Sequence, residues 1–435
     1  MKAKASKQSK SRRLNVLSNT FRPVYVVWEL TLACDHACTH CGSRAALPRP
    51  NELNTSEALE LADELITMQV AEVTLIGGEA YLHEGFYEIC HRLVSGGVRV
   101  GMTTGAWGLT HENLTKMSTT GVRKISVSID GLEHTHDRMR SKKGSFQQCI
   151  KALQLIQDVG IIPLSNTNVN RHNLDDLEAL YLTLQRAGVK QWQIQLTAPL
   201  GRAADRVNML LQPYDLLDLL PRIARLKQRG LTEGLTILPG NNLGYFGPEE
   251  NLLRAQQQGQ SDHWGGCQAG RFIMGIESDG AIKGCPSLQT SHYVGARWRE
   301  HGGKESIHWA WNHSAELSIN HSRSRSDLWG YCATCPLADT CLGGCTFTAH
   351  SFFNRPGNNP YCHFRALQHA KRGLKERLIP AQDALGMPFD NGTFDIIVEP
   401  FDKKEPTRPD DVVQITRRPQ LSPSEMIRAL EKSPS

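Results

Sequence analysis

The chain has 435 residues, is 40% hydrophobic, and carries a net charge of +5 from 49 Lys and Arg against 44 Asp and Glu. That length exceeds one ordinary domain, and so small a charge excess marks out no nucleic-acid or membrane partner. No run approaches the roughly 18 uncharged apolar residues of a membrane span, and the basic start MKAKASKQSKSRR lacks the apolar segment of a signal peptide. Residues 1–22 therefore read as a disordered basic tail, and the protein as cytoplasmic.

From residue 24 onward, β-branched runs alternate with helical patterns. VYVVWEL (24–30) reads as the first strand. TSEALELADELITMQ (55–69) is a helix capped by Thr55 or Ser56, followed by the strand EVTLIGG (72–78). The helix GFYEICHRLVSG (85–96), the strand VRVGMTT (98–104) and the short helix HENLTKMSTTG (111–121) come next. RKISVSIDG (123–131) and IIPLSNTNVN (161–170) read as strands around the helix SFQQCIKALQLIQDVG (145–160). A helix over 175–188 leads to the sixth strand, QWQIQLTA (191–198). The acidic and histidine-rich stretch after strand four, with Asp130, Glu133, His134, His136 and Asp137, reads as a solvated loop, and no general base is assigned from it. Six such units predict an α/β fold with a parallel sheet, whose ligands gather at the carboxyl ends of the strands.

A helical stretch near 213–229 and a Gly-, Asn- and Gln-rich loop (239–266) lead into a cysteine-rich region. The last 56 residues hold 8 of the 21 prolines, so residues 376–435 are expected as an extended tail. Within it FDIIVEP (394–400) reads as an edge strand and SPSEMIRALEK (422–432) as a short helix.

Twelve cysteines without a secretion signal point to a reducing compartment, where grouped cysteines bind metal or serve catalysis. Cys90 and Cys149 stand apart in helical patterns and read as small buried residues. In TLACDHACTHCGSRA (31–45), Cys34, Cys38 and Cys41 are spaced C-x3-C-x2-C directly after the first strand. Three thiolates from one loop can hold three irons of a [4Fe–4S] cube and leave the fourth open. A structural zinc site would need a fourth ligand, which His36 or His40 can supply, so spacing alone leaves both chemistries open.

In context this pattern resembles the radical S-adenosylmethionine superfamily, whose three-cysteine loop follows the first strand of a partial (βα)6, TIM-like barrel. The resemblance implies an S-adenosyl-L-methionine cofactor chelated by the open iron and cleaved on reduction to a radical that abstracts hydrogen. It extends to Gly77-Gly78-Glu79, similar to the motif that meets the cofactor's amino group. Ser128 of SIDG matches a ribose contact, Arg140 a carboxylate contact, and Leu196 joins them at the end of strand six. His40 stands where the family usually has Tyr, Phe or Trp and keeps a planar ring for packing against adenine.

Seven further cysteines read C-x17-C, then C-x2-C-x5-C-x3-C, then one more. This resembles the SPASM extension of peptide, sulfatase and cofactor maturases, which binds two auxiliary [4Fe–4S] clusters and brings the total to three. By position, Cys332, Cys335, Cys341 and Cys362 would hold the outer cluster, and Cys267, Cys285 and Cys345 the inner one. Seven thiolates are one short of two full sets, so the inner cluster is expected to be open or served by Asp262, His263 or the substrate. The implied layout is barrel at 23–235 and SPASM region at 236–375.

Auxiliary clusters suit net oxidation of a substrate radical. The resemblance is to maturases of ribosomally made precursor peptides, implying oxidative bond formation at a side-chain carbon. Sulfatase-maturing relatives place an aspartate after the cysteine matching Cys285, where this chain has Pro286. With about 23 residues before strand one, a leader-binding domain is not expected here: either a separate leader-binding partner presents the peptide, or the barrel and the 239–266 loop do so, and a flavodoxin- or ferredoxin-type protein is expected as electron donor. Two alternatives stand beside this reading: a cofactor-biosynthesis or sulfatase-maturase-like oxidoreductase acting on a small molecule or protein, and a zinc-bound scaffold.

Overall fold

The structure, a computed structural model, describes residues 21–255, 262–300 and 305–404. Strands β1 (Tyr25–Glu29), β2 (Glu72–Ile76), β3 (Arg99–Thr104), β4 (Lys124–Ser128), β5 (Ile162–Val169) and β6 (Gln191–Leu196) stand side by side in chain order, each parallel to the next. Each crossover is helical: α1 (Thr55–Thr67), α2 (Phe86–Ser95), α3 (His111–Thr119), α4 (Glu133–Arg140) with α5 (Ser145–Asp158), and α6 (Leu177–Arg186). The helices form because apolar residues recur at helical spacing. In α1, Ala58, Leu61, Ala62 and Leu65 are buried as one stripe. Its cap is Asn54 rather than Thr55 or Ser56: the Asn54 side chain accepts from Glu57 N (3.1 Å) and Glu57 returns the bond to Asn54 N (2.9 Å).

Beyond the six expected units the sheet grows at both edges. After α7 (Leu216–Glu233), β7 (Thr236–Pro239) adds parallel to β6. At the other edge, the cysteine-rich region contributes β8 (Ile273–Ile276), parallel to β1, then β9 (Ala281–Lys283) and β10 (Val294–Arg297) as antiparallel neighbours. One ten-stranded, mostly parallel sheet thus joins the barrel to the cysteine-rich region. A single hydrophobic cluster runs from Val26 and Trp28 through Trp192 to Trp298 and Trp311.

Two expectations change. Residues 133–140 are the helix α4, not a solvated loop, with His136, Met139 and Arg140 buried. Residues 376–404 are not an extended tail, because β11 (Leu374–Gln382) and β12 (Thr393–Pro400) pair as an antiparallel hairpin over the expected 394–400 strand. The expected helix at 422–432 lies outside the described residues. Among the described residues no helix is long and apolar enough to cross a membrane.

Candidate functional site

The three-cysteine loop leaves the carboxyl end of β1 and is held there by backbone. Cys34 N donates to Ala46 O (3.0 Å) and Ala46 N to Leu32 O (3.0 Å), closing the loop on itself. Gly78 N reaches Thr31 O (2.7 Å) and Glu79 N reaches Ala33 O (2.8 Å), so the turn after β2 lies flat against it. Only glycine permits that approach. A Cβ on Gly77 would sit 2.3 Å from Thr31 O, and one on Gly78 2.1 Å from Ala33 O.

Glu79 is buried and fixed at both oxygens, by the Gly105 amide (2.6 Å) and the Thr104 hydroxyl (2.5 Å). Burial pushes its carboxyl up to about 8, against the pull of the Thr104 bond. A carboxyl whose pKa is higher folded than unfolded binds extra protons in the fold, so its contribution is lost as pH rises. Unfolding of the unloaded protein should therefore become easier from about pH 5 to pH 8, and Glu79→Gln should flatten that slope. Urea titrations at several pH values check this, and parallel slopes for the two proteins would refute it.

The second part of the site is a buried polar hub at the end of β4. Asp130 Oδ2 lies 2.6 Å from Arg140 Nη2 and 3.1 Å from His40 Nε2, and Asp130 Oδ1 accepts from Asn168 N (2.9 Å). Burial alone would raise this carboxyl, but Arg140 and then His40 hold it well below the usual carboxylate range. The Arg140 Nη1 also reaches Cys38 Sγ (3.7 Å). Next to it, Asp130 N donates to His136 Nδ1 (3.1 Å), and Ser145 Oγ lies 3.1 Å from both His136 Nε2 and His36 Nε2. His36 Nδ1 then meets Asp35 Oδ1 (2.6 Å), and Tyr81 donates to Asp35 Oδ2 (3.1 Å). This chain of contacts ties the stretch between Cys34 and Cys38 to α4 and α5.

The remaining residues expected to meet the cofactor fall at strand ends. Ser128 Oγ shares hydrogen bonds with the Asn166 amide (3.1 and 3.2 Å). Leu196 is buried, its backbone gripped on both sides by Asn242 (3.1 and 2.6 Å). Thus His40, Gly77, Gly78, Glu79, Ser128, Arg140 and Leu196 all sit at carboxyl ends of strands or on the elements just after them. His40 and Arg140 differ from expectation in detail, since each spends nitrogen atoms on Asp130. Each also keeps one buried nitrogen without a partner, His40 Nδ1 and Arg140 Nε. Unpartnered buried nitrogens beside a glycine cradle and a fixed carboxyl group are what a small charged cofactor would satisfy. The residues present fit such a group.

Cys34, Asp35, His36 and Glu79 are the set among the described residues whose ligand atoms lie within 4.8 Å of one another. For zinc, this set is poorly free: both His36 nitrogens and both Glu79 oxygens already have partners. It also omits Cys38 and Cys41, the spacing's other two thiols.

Sequence reasoning missed a strap that crosses the loop from the β11–β12 connection. Phe389 N donates to Gly42 O (3.0 Å) and Gly201 N to Asp390 O (2.7 Å). Arg44 clamps the strap through Met387 O (3.0 Å) and Asp390 (2.9 Å) while forking onto Asp205 (2.5 and 2.9 Å). The Phe389 ring lies 4.0 Å from Lys283 Nζ, next in the chain but one to Cys285.

The seven later cysteines form two groups. Cys332, Cys335, Cys341 and Cys362 line one pocket, walled by Phe246, Tyr331 and Phe364. Beneath it, the buried Arg365 pairs with Glu376 (2.6 and 2.7 Å) and places positive charge near Cys332 and Cys362. Cys267, Cys285 and Cys345 form the other group. A hydrogen bond from the Cys345 thiol holds Cys267 well below the usual thiol range despite its burial, while burial first of all pushes Cys285 up to about 11. Tyr245 separates the groups: its carbonyl faces Cys362 Sγ (3.8 Å), and its phenol oxygen accepts from Cys345 N (3.2 Å). Asp262 and His263 are exposed, and His263 lies by Phe246 on the wall of the four-cysteine pocket, 6.0 Å between ring centres. That position does not favour them as a fourth ligand for Cys267, Cys285 and Cys345. Cys90 and Cys149 are buried in α2 and α5.

Residues 28–184 match the family model described as the Radical SAM superfamily. The chain is 27% identical over 373 residues to mycofactocin maturase MftC of Mycobacterium tuberculosis, covering 82% of this chain and 87% of that protein. It is 25% identical over 365 residues to the AdoMet-dependent heme synthase of Nitratidesulfovibrio vulgaris, covering 78% and 92%. Its fold is similar to that of Streptococcus suis SuiB bound to precursor peptide SuiA, with a TM-score of 0.58, 14% identity, and coverage of 78% of this chain and 74% of that one.

Proposed function

Because this chain carries a radical SAM domain over residues 28–184, we propose that it oxidises a ribosomally made precursor peptide, forming a cross-link or carbon–heteroatom bond at a side-chain carbon. The observation that carries the reading is the sorting of ten cysteines into a loop of three at the end of β1, a pocket of four and a neighbouring group of three. The similarity to a maturase over 87% of that protein's length supports the substrate class.

In this reading Cys34, Cys38 and Cys41 hold one [4Fe–4S] cluster, with Gly77, Gly78 and Glu79 cradling the amino end of S-adenosylmethionine. Ser128, Leu196 and His40 would border its nucleoside, and Arg140 Nε, which has no partner, would be available to its carboxylate. Cys332, Cys335, Cys341 and Cys362 hold an outer auxiliary cluster, and Cys267, Cys285 and Cys345 an inner one with an open position. When bound, these groups supply one-electron reduction, a carbon-centred radical, and a route for the electron removed from the substrate. The protein's own part is to fix charge and exclude water: Glu79 is buried and doubly hydrogen-bonded, and Asp130 is compensated by Arg140 and His40. A flavodoxin- or ferredoxin-type donor in the cytoplasm and a separate leader-binding protein complete the proposal.

The heme synthase similarity, over 92% of that protein, favours a second reading: oxidation of a small cofactor precursor with the same machinery. One experiment separates the two. A candidate peptide encoded beside this gene, deuterated at its side-chain carbons, should pass deuterium into 5′-deoxyadenosine and lose mass as it is oxidised. Unlabelled 5′-deoxyadenosine and unchanged peptide, with turnover of a porphyrin precursor, would overturn the peptide reading.

A further inference from the structure

We infer that Arg140 is a positioning residue for the first cysteine site: clamped by Asp130, its guanidinium donates to Cys38 Sγ and sets the reduction potential of an iron–sulfur cluster held there. The inference rests on the reading of Cys34, Cys38 and Cys41 as ligands of that cluster.

Three contacts make the geometry specific. Arg140 is the last residue of α4, and the residue before it is bound to the cysteine loop: Met139 O accepts from both Thr39 N (2.7 Å) and Thr39 Oγ1 (3.0 Å). Cys38 is fixed from the other side, since Arg202 Nε donates to its carbonyl (2.7 Å). The guanidinium cannot swing away, because Asp130 holds Nη2 at 2.6 Å and is itself anchored by Asn168 N (2.9 Å) and His40 (3.1 Å). With both backbones pinned, Nη1 is left 3.7 Å from Cys38 Sγ.

The three sulfurs are treated unequally. The contact to Cys34 Sγ comes from the backbone amide of His36 (3.4 Å), and Cys41 Sγ meets the Ser43 hydroxyl (3.5 Å). Both are neutral donors. Cys38 receives a hydrogen bond from a full positive charge, in a buried setting where charge is poorly screened. Hydrogen bonds to ligand sulfurs and nearby charge are the protein's means of moving a cluster potential. A cation at Cys38 favours the more negative, reduced cluster and raises the potential, while Asp130 offsets part of that effect.

The two partners must therefore act with opposite sign. In potentiometric EPR titrations without S-adenosylmethionine, the first cluster is the signal missing from a Cys34/Cys38/Cys41→Ala variant. Arg140→Gln should lower its midpoint, Arg140→Lys should lower it less, and Asp130→Asn should raise it. A purely structural role for the pair would not divide the signs. Unchanged midpoints, or shifts of the same sign in Arg140→Gln and Asp130→Asn, would overturn the inference. Should Arg140→Gln fail to load, Arg140→Lys and Asp130→Asn decide it on the same criterion. If the triple variant loses no signal, the cluster reading itself fails, and the inference falls with it.

Discussion

Replacing Gly78 with alanine should empty the first cysteine site while leaving the cysteine-rich region loaded. The added methyl carbon would lie 2.1 Å from Ala33 O, 2.5 Å from Ala33 C and 2.7 Å from Cys34 Cβ. None of these is the far end of a flexible side chain, so relief requires moving backbone. The backbone that moves is the pair of hydrogen bonds joining the two turns, Gly78 N to Thr31 O and Glu79 N to Ala33 O. Overpacking of this kind costs about 1–3 kcal/mol or more. Here the strain falls on Cys34 and Glu79 together, one a proposed iron ligand and the other a proposed cofactor contact. We expect loss of roughly a third of the bound iron, loss of cofactor binding, and no measurable hydrogen abstraction. Gly265 serves as the control, since its Cβ would meet nothing within 4 Å and its φ is not positive. Gly265→Ala should behave as the parent. A Gly78→Ala protein with full iron and activity would mean that the turn after β2 does not shape this site.

The contrast between what was and was not legible in the sequence follows from what kind of residue does the burying. Strands β1 to β6 and helices such as α1 and α5 carry apolar residues at regular spacing, and that spacing is visible in one sequence. The helix α4, EHTHDRMR, has hardly any apolar stripe: His136 and Arg140 are buried through polar contacts with residues just outside the helix, Ser145 and Asp130. Hydrophobic periodicity cannot report a helix that is buried by hydrogen bonds. In the hairpin β11–β12, the strand β12 was read from the sequence, but β11 and the pairing were hidden for the same reason. Lys375, Glu376 and Glu399 are buried in it, Glu376 by virtue of Arg365 and Glu399 through Arg377, while Pro380 and the surrounding prolines suggest a tail.

At the site, the cysteine spacings and Gly77-Gly78-Glu79 were legible because each is a compact motif in the sequence, although the partners that require the glycines, Thr31 and Ala33, lie on another loop. The strap at 386–390 was not, since its partners Gly42, Arg44 and Gly201 lie far back in the chain. Arg140 was identified by its distance from Ser128, but its pairing with Asp130 and Cys38 is a property of the fold. His40 had been expected as a planar ring or as a fourth zinc ligand. Its Nε2 contact to Asp130 gives a physical reason for histidine there, because a Phe in that place has no polar atom to offer the buried carboxylate.

The central claim is that Cys34, Cys38 and Cys41 hold an iron–sulfur cluster, and the most direct test is iron and sulfide per chain after anaerobic reconstitution. The parent protein and a Cys34/Cys38/Cys41→Ala variant would be measured side by side, with zinc determined on the same samples. Three cubes correspond to about twelve irons, and loss of one leaves about eight, with an equal fall in sulfide. The variant should keep its fold, because the loop is held by backbone hydrogen bonds through Ala46, Gly78 and Glu79 rather than by the thiols. It should also bind no S-adenosylmethionine and produce no 5′-deoxyadenosine. Zinc in place of iron in the parent, or equal iron in parent and variant, would contradict the account at its root.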